Sequence, residues 1–569
     1  MRRIALLSIL PIAAAGYVFL QTRAAAGPEL AAYMPSGAVL YLESPDFGRL
    51  LRDWDASQVK ADWLGSANYA VFSRSNLFSK LSEVYGQYGD AAGFRPSVKS
   101  LIEIAGAGSA LALYDIRDVE FLYVSRIAES DLVRSPLWAV RPSFQERQAG
   151  GVTFYLRTDA ASKRTVAFAF AKGYLILATR DDLVAQSLEL LAGGGIANIA
   201  ADRWYRDAVA QAPARGELRM VMNLELLVKS VSLRSYWVQR NVSTIRPYWT
   251  GVADVKRSAE GITETRAFLR APGSAAVTNS AVLPALLALV PPEAGVYRVS
   301  GIADPAAAAR LIIDKIIGAP AEASRDWRDA PEAVSPDYRA GSEGDLETRI
   351  DEQPLPADTG LSDSLAAARG VIDQGGARAL LLVESSATPG TFVKMPAVIV
   401  LASSTDWNRD SVRGALGDAA GKLWTTSHLG AGWTAATVGR HSVDRLDGLG
   451  TLLVATSGPL LFVANDASLL AAVLDHGGSP ANSTPFTYAA GVRYRQERAN
   501  YERVMAAVDF TSAASGLGFY RLGGAAAPNF FSGNLASLSR VLSKVVEIGV
   551  TEEERGVATM QTVRYRIER

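Results

Sequence analysis

Residues 163–192 read KRTVAFAFAKGYLILATRDDLVAQSLELLA. Two apolar runs of strand length, VAFAFA and YLILAT, flank Lys172-Gly173, which reads as the turn of a hairpin. Asp181 and Asp182 then open an amphipathic helical pattern. The glycines of AGGGI (192–196) follow it, as expected of a left-handed C-terminal cap.

The same sentence is written again at 448–475, GLGTLLVATSGPLLFVANDASLLAAVLD. Strand, Ser457-Gly458, strand, Asp466 and an apolar helix recur, with Gly458 and Asp466 each 285 residues beyond Gly173 and Asp181. A constant offset is the mark of an internal repeat, and further pairs extend it. YMPSGAVLYLES (33–44) matches LVPPEAGVYRVSG (289–301), and SALALYDIRDVEFLYVSRI (109–127) matches RALLLVESSATPGTFVKMPAVIVLASS (378–404). GELRMVMNLELL (216–227) matches YERVMAAVDFTS (501–512), and GVADVKRSAEGITETRAFL (251–269) matches GVTEEERGVATMQTVRYRI (549–567).

The expected fold is therefore α+β, two tandem homologous units, each a mostly antiparallel sheet with helices packed on one face. The units run 28–271 and 280–569, joined by the small, polar APGSAAVTNS (271–280). Pro35 and Pro292 lie only 257 residues apart, so the second unit carries an insertion before its hairpin. The proline-rich, acidic stretch 319–363 is the place for it and reads as a surface loop.

Composition narrows the chemistry. The 569 residues exceed one ordinary core. Lys+Arg and Asp+Glu are 58 each, so no chain-wide basic field gathers nucleic acid, and no nucleic-acid partner is expected. There is no cysteine, which removes disulfides, thiol nucleophiles, thiolate zinc sites and iron–sulfur clusters. The histidines are His428, His441 and His476 alone.

The N-terminus, MRRIALLSILPIAAAGYVFLQTRAAAG, places Arg2 and Arg3 before an uncharged run from Ile4 to Leu20, followed by Ala24-Ala25-Ala26. That pattern fits a signal peptide cleaved near Ala26, or a retained anchor attaching the chain to the membrane through residues 4–20. Either reading exports the rest of the chain, because the arginines stay on the cytoplasmic side.

Each candidate for chemistry has a structural competitor. Asp181 and Asp182 can be paired carboxylates for acid–base work, but only Asp181 has a counterpart, Asp466, while Ala467 stands where Asp182 does. One Asp before an apolar helix is what N-capping requires, so capping is preferred. His428 and His441 flank LGAGWTAATVGR and with Asp444 or Asp475 can surround a metal, yet no H-E-x-x-H or similar spacing occurs. No metal or other cofactor is expected. The glycine clusters match neither dinucleotide nor P-loop patterns, and no G-x-S-x-G elbow is present. Asp345, Glu347, Asp351 and Glu352 lack the spacing of a calcium loop. The remaining candidate is SYWVQRNVSTIRPYWTG (235–251), where Tyr236, Trp237, Arg240, Arg246, Tyr248 and Trp249 mix aromatics with arginine, as contact surfaces do. Aromatics tucked under the sheet are the competing explanation.

The stretches DWDASQVKADWLGSANYAVFSRSNLFSKL (53–81), 109–127 and GGVTFYLRTDAASKRTVAFAFAKGYLILATRDDL (150–183) resemble a group of long, exported bacterial envelope proteins of uncharacterised role. The resemblance covers much of the first unit and implies bacterial origin and export. It implies no site residues.

Taken together, the residues favour an exported, periplasmic, non-enzymatic protein that binds a protein, glycan or lipid-like partner. A carboxylate-dependent glycan hydrolase and a carrier of apolar ligands are the alternatives. A hydrolase requires two carboxyl groups about 5–9.5 Å apart in one cleft. A carrier requires a pocket lined by aliphatics, and a scaffold shows only an exposed patch.

Overall fold

A computed structural model of the protein describes residues 29–66, 69, 72–74, 76–116, 118–212, 214–229, 245–274, 278–318, 359–385, 395–424, 432–476, 484–497 and 545–568. The chain divides into two compact units. One is Met1–Thr278 together with Met505–Arg569, the other Asn279–Val504. Among the described residues every strand pairing is antiparallel, and the fold class is α+β.

In the first unit the strands are β1 (Leu40–Ser44), β2 (Ser109–Asp115), β3 (Glu120–Arg126), β4 (Gln145–Ala149) and β5 (Val152–Thr158). They continue with β6 (Thr165–Ala171), β7 (Tyr174–Ala178), β8 (Leu218–Met222), β9 (Tyr248–Ser258) and β10 (Gly261–Arg270). The second unit holds β11 (Val296–Gly301), β12 (Ala377–Glu384), β13 (Ala397–Ser403) and β14 (Trp433–Val438). Its remaining strands are β15 (His441–Asp447), β16 (Thr451–Ser457), β17 (Leu460–Ala464) and β18 (Tyr488–Val492). The C-terminal hairpin is β19 (Val545–Arg555) and β20 (Ala558–Ile567).

Strand order in the first unit is β19-β20-β10-β9-β8-β1-β2-β3-β7-β6-β5-β4. In the second it is β18-β11-β12-β13-β17-β16-β15-β14. The eight described strands of the second follow the same path as the last eight described strands of the first, β8 to β4. The C-terminal hairpin, expected in the second unit, groups with the first because β20 finds its ladder partner in β10. The strand beside β11 that corresponds to β8 is β18, so the counterpart of 216–227 lies near 487–492. The expected match, 501–512, falls outside the described residues.

The opening hairpin forms as its residues dictate. Lys172 (φ 50°) and Gly173 (φ 81°) are both left-handed, as a type I′ turn between twisted strands requires. In the second unit Gly458 (φ 55°) precedes Pro459, whose ring holds φ negative, giving a type II′ arrangement. The glycine thus occupies the first central position instead of the second. Ladder partners Ala171–Tyr174 and Ser457–Leu460 accordingly differ by 286 residues, one more than the glycines suggest.

That slip corrects the capping expectation. Asp466 is an N-cap, accepting from the Leu469 amide at 2.8 Å. Its ladder equivalent is Arg180, the N-cap residue of helix Asp181–Ala192, which makes no side-chain cap. Asp181 and Asp182 lie in the first turn, where carboxylates suit the helix dipole. Asp182 accepts from Arg180 at 2.9 Å, and Arg180 also reaches Glu120 at 2.8 Å. Gly193 (φ 93°) ends the helix in the expected left-handed cap.

Alternation along β12 and β13 explains the second core. Leu380, Leu382, Ile399 and Leu401 face helices Pro305–Ile312, Thr359–Gly375 and Arg409–Leu423. Leu381, Val383, Val398 and Val400 face helices Val282–Leu287 and Ala467–Asp475. Helices thus cover both faces of this sheet, beyond the single face expected, which is why LLLV and AVIVLA read as continuous apolar runs. Of the acidic stretch, 319–358 lies outside the described residues. Residues 359–363, expected as loop, open the helix Thr359–Gly375.

Candidate functional site

Two adjacent rows of cross-strand neighbours build one face of the first unit's sheet. The ladder registers align Leu113, Leu40, Met222, Gly251, Phe268 and Thr559 across β2, β1, β8, β9, β10 and β20. The next row, two residues along each strand, is Leu111, Leu42, Met220, Ala253, Arg266 and Gln561, with Glu552 of β19 beside Gln561. Side chains two apart on a strand share a face, so both rows point the same way. The opposite face of these strands carries Tyr41, Val221, Val252, Ala267 and Met560 into the main core.

Between these rows and the helix Leu224–Lys229 lies a cavity of about 200 Å³. Its floor is Leu40, Leu113, Met220, Met222 and Phe268, and Leu224, Leu227, Ile245 and Tyr248 close over it. Phe268 leans over Gly251, where a Cβ would meet its ring at 2.7 Å. A dry cavity of ~150 Å³ already admits a benzene ring, so this one accommodates a ring or a short alkyl chain. It is smaller than the 300–1,000 Å³ common for drug-sized ligands.

Polar groups gather at one end, supplied by Glu552, Thr559 and Gln561. Tyr248 donates from its hydroxyl to Thr559 Oγ1 at 3.3 Å, and Thr559 donates to Glu554 Oε1 at 2.9 Å. Burial pushes the Tyr248 phenol above its ordinary range. Arg266, buried on β10, makes two charge-assisted bonds to Glu264, at 2.6 and 2.7 Å. Its remaining arm donates to Gln561 Oε1 at 2.7 Å. With that oxygen engaged, Gln561 must turn its amide nitrogen toward Glu552, to which it donates at 2.8 Å.

Of the six aromatic and arginine candidates, Tyr236, Trp237 and Arg240 lie outside the described residues. Arg246 is exposed. Tyr248 and Trp249, being consecutive, take opposite faces of β9: Tyr248 lines the cavity, while Trp249 packs on the main core under Arg203. These three do not form one surface. The other cavity residues carried a faint sequence signal, since Met220, Val221 and Met222 are apolar at consecutive positions and such strands are covered on both sides.

The remaining candidates are committed elsewhere. His441 contacts Asp475 at 3.0 Å on the surface, and Asp444 is held by Arg409 at 2.5 and 2.9 Å. His428 lies outside the described residues. Among the described residues no cluster of His, Asp and Glu is arranged to hold a metal, and no helix is long and apolar enough to cross a membrane.

No protein-family model matches the chain, and no curated protein matches it. Among solved structures it is similar to those of TP0453, a Treponema protein. Crystal form III aligns with a TM-score of 0.26 and 11% identity over 48% of this chain and 90% of that one. Crystal form I aligns with 0.24 and 10% over 44% and 82%. Likeness at this level carries nothing about function.

Proposed function

We propose that this is an exported envelope protein that binds a small apolar ligand in the first unit, without catalysing a reaction on it. The cavity between helix Leu224–Lys229 and the sheet is the observation that carries the reading. It favours the carrier among the three sequence-level alternatives. A glycan hydrolase needs two facing carboxyl groups, whereas Glu552 is the single carboxylate among the described lining residues. Export rests on Arg2, Arg3 and the run Ile4–Leu20, which lie outside the described residues.

We also propose that the two α+β units descend from one duplicated unit. The shared strand path of β8 to β4 and of β18 to β14 supports this.

Displacement of an environment-sensitive naphthylamine dye tests the binding function. The full chain should enhance the dye's fluorescence, and straight-chain alcohols should reverse it. Met222→Trp, which fills the floor of the cavity, should abolish the enhancement while leaving the urea midpoint near that of the parent. Dye enhancement that survives Met222→Trp would overturn the cavity as the site.

A further inference from the structure

We infer that the cavity takes the tail of an amphiphile, which enters past Ile116 and leaves its polar head in water at that mouth. This inference rests on the cavity being a ligand site and concerns which end of the ligand goes in. Ile116 stands just beyond β2, lines the cavity and is 40% exposed. Among the described lining residues it is the one exposed side chain. At the other end Thr559 and Gln561 are shut away, at 4% and 3% exposure. The strands that carry the two ends, β2 and β20, are five spacings apart, about 24 Å. The cavity thus has a wet end and a closed end.

The closed end is satisfied from within the protein. Thr559 accepts from Tyr248 and donates to Glu554, and Gln561 accepts from Arg266 and donates to Glu552. Arg270 donates to Glu554 at 3.2 Å and places its charge beside Glu552. A head group pushed in there would lose its hydration and break bonds already made. At the mouth it keeps its water and breaks nothing. The mouth is also preformed. In the turn after β2, the Asp118 amide donates to the Asp115 side chain at 2.9 Å and Arg164 donates to the Asp118 carbonyl at 2.7 Å. The Tyr88 hydroxyl donates to the Val119 carbonyl at 3.0 Å. A head left outside such an opening is not limited in size, so amphiphiles with bulky heads belong to the ligand class.

Octan-1-ol and octyl glucoside share one chain and carry uncharged heads of very different size. Competing with the naphthylamine dye on the full chain, below the concentration at which the glucoside forms micelles, they should bind within about threefold of each other. Octanol displacing dye where the glucoside does not overturns the head-out orientation and leaves the cavity as a ligand site. Failure of both to displace dye overturns the site itself. Stopped-flow mixing with dye tests the route. A side chain that guards an entrance changes association and dissociation by the same factor and leaves their ratio alone. Ile116→Trp should therefore slow both rates by about fivefold or more, and Ile116→Ala should speed both, with affinity held within about threefold. Rates unchanged in both variants, or a change in dissociation alone, would overturn Ile116 as the mouth. Should one variant not fold, the other decides.

Discussion

Thr265 of β10 stands opposite Thr562 of β20. Within its own hairpin Thr265 pairs with Asp254, and Thr562 pairs with Thr551 in the other. An offset of 297 residues relates both pairs, and it also relates the turn-flanking pairs Ser258–Gly261 and Arg555–Ala558. The hairpins therefore meet through equivalent residues, a local twofold relation centred on the two threonines. The sequence breaks that symmetry one step away. Arg266 faces Gln561, while their equivalents, Val563 and Glu264, face each other. The polar end of the cavity lies on the Arg266 side.

The Arg266–Glu264 pair should behave as a buried ion pair whose halves depend on each other. Both side chains are nearly inaccessible, at 2% and 4% exposure. Arg266→Ala leaves the Glu264 carboxylate buried without its cation, and a loss of about 3–5 kcal/mol is expected. The double variant Arg266→Met, Glu264→Leu removes both charges and should recover most of that loss. Urea unfolding of the three proteins checks this. Equal destabilisation by the single and double variants would show that packing, not charge burial, sets the cost.

Gly251 should couple packing to the cavity. An added Cβ would lie 2.7 Å from Phe268 Cδ1, so Gly251→Ala must displace a ring that forms the cavity floor. Overpacking of this kind costs about 1–3 kcal/mol. Dye binding should weaken in Gly251→Ala, and the companion change Phe268→Leu should restore part of the lost stability. Thermal melts and dye titration of the single and double variants measure both effects.

The sheet and its hairpins were legible because their signals are local: period-two or continuous apolar runs, and glycine beside the turn. The one-residue slip near Gly458 arose because glycine serves either central position of a tight turn. A left-handed Lys172 fills the other position in the first unit, and Pro459 in the second. The strand beside β11 was hard to read for a related reason, since YAAGV (488–492) has weak strand character by itself and acquires it from pairing with β11. The cavity was beyond local reading. Leu40, Met222, Phe268 and Thr559 become neighbours only through ladder registers between distant segments, and of the aromatic segment 235–251 the described lining residues are Ile245 and Tyr248.

Glu43 should give the stability curve a recognisable slope. Burial raises its carboxyl above the ordinary glutamate range, and Arg215 offsets only part of the shift. A folded-state value above the unfolded one means that the native protein binds more protons between the two. Glu43's contribution is therefore complete below the unfolded value, about 4.3, and declines as pH rises through the raised one. Glu43→Gln should flatten the decline over that window. Unfolding free energies across the acid-to-neutral range, compared between parent and variant, test the sign. A variant that loses stability more steeply with rising pH would contradict it.

Chain length provides the strictest test of the cavity's size. Each methylene moved from water into an apolar site contributes about 0.8 kcal/mol. With 1.4 kcal/mol to a factor of ten, that is about fourfold in affinity per added carbon. A series of straight-chain alcohols should follow this slope while the chain fits among Leu40, Met220, Met222 and Phe268. Once the roughly 200 Å³ are filled, further carbons remain in water and the slope should fall toward zero. The break should move to longer chains in Leu227→Ala, which opens the covering helix side. A surface that merely adsorbs alkyl chains would give a continuous slope in both proteins.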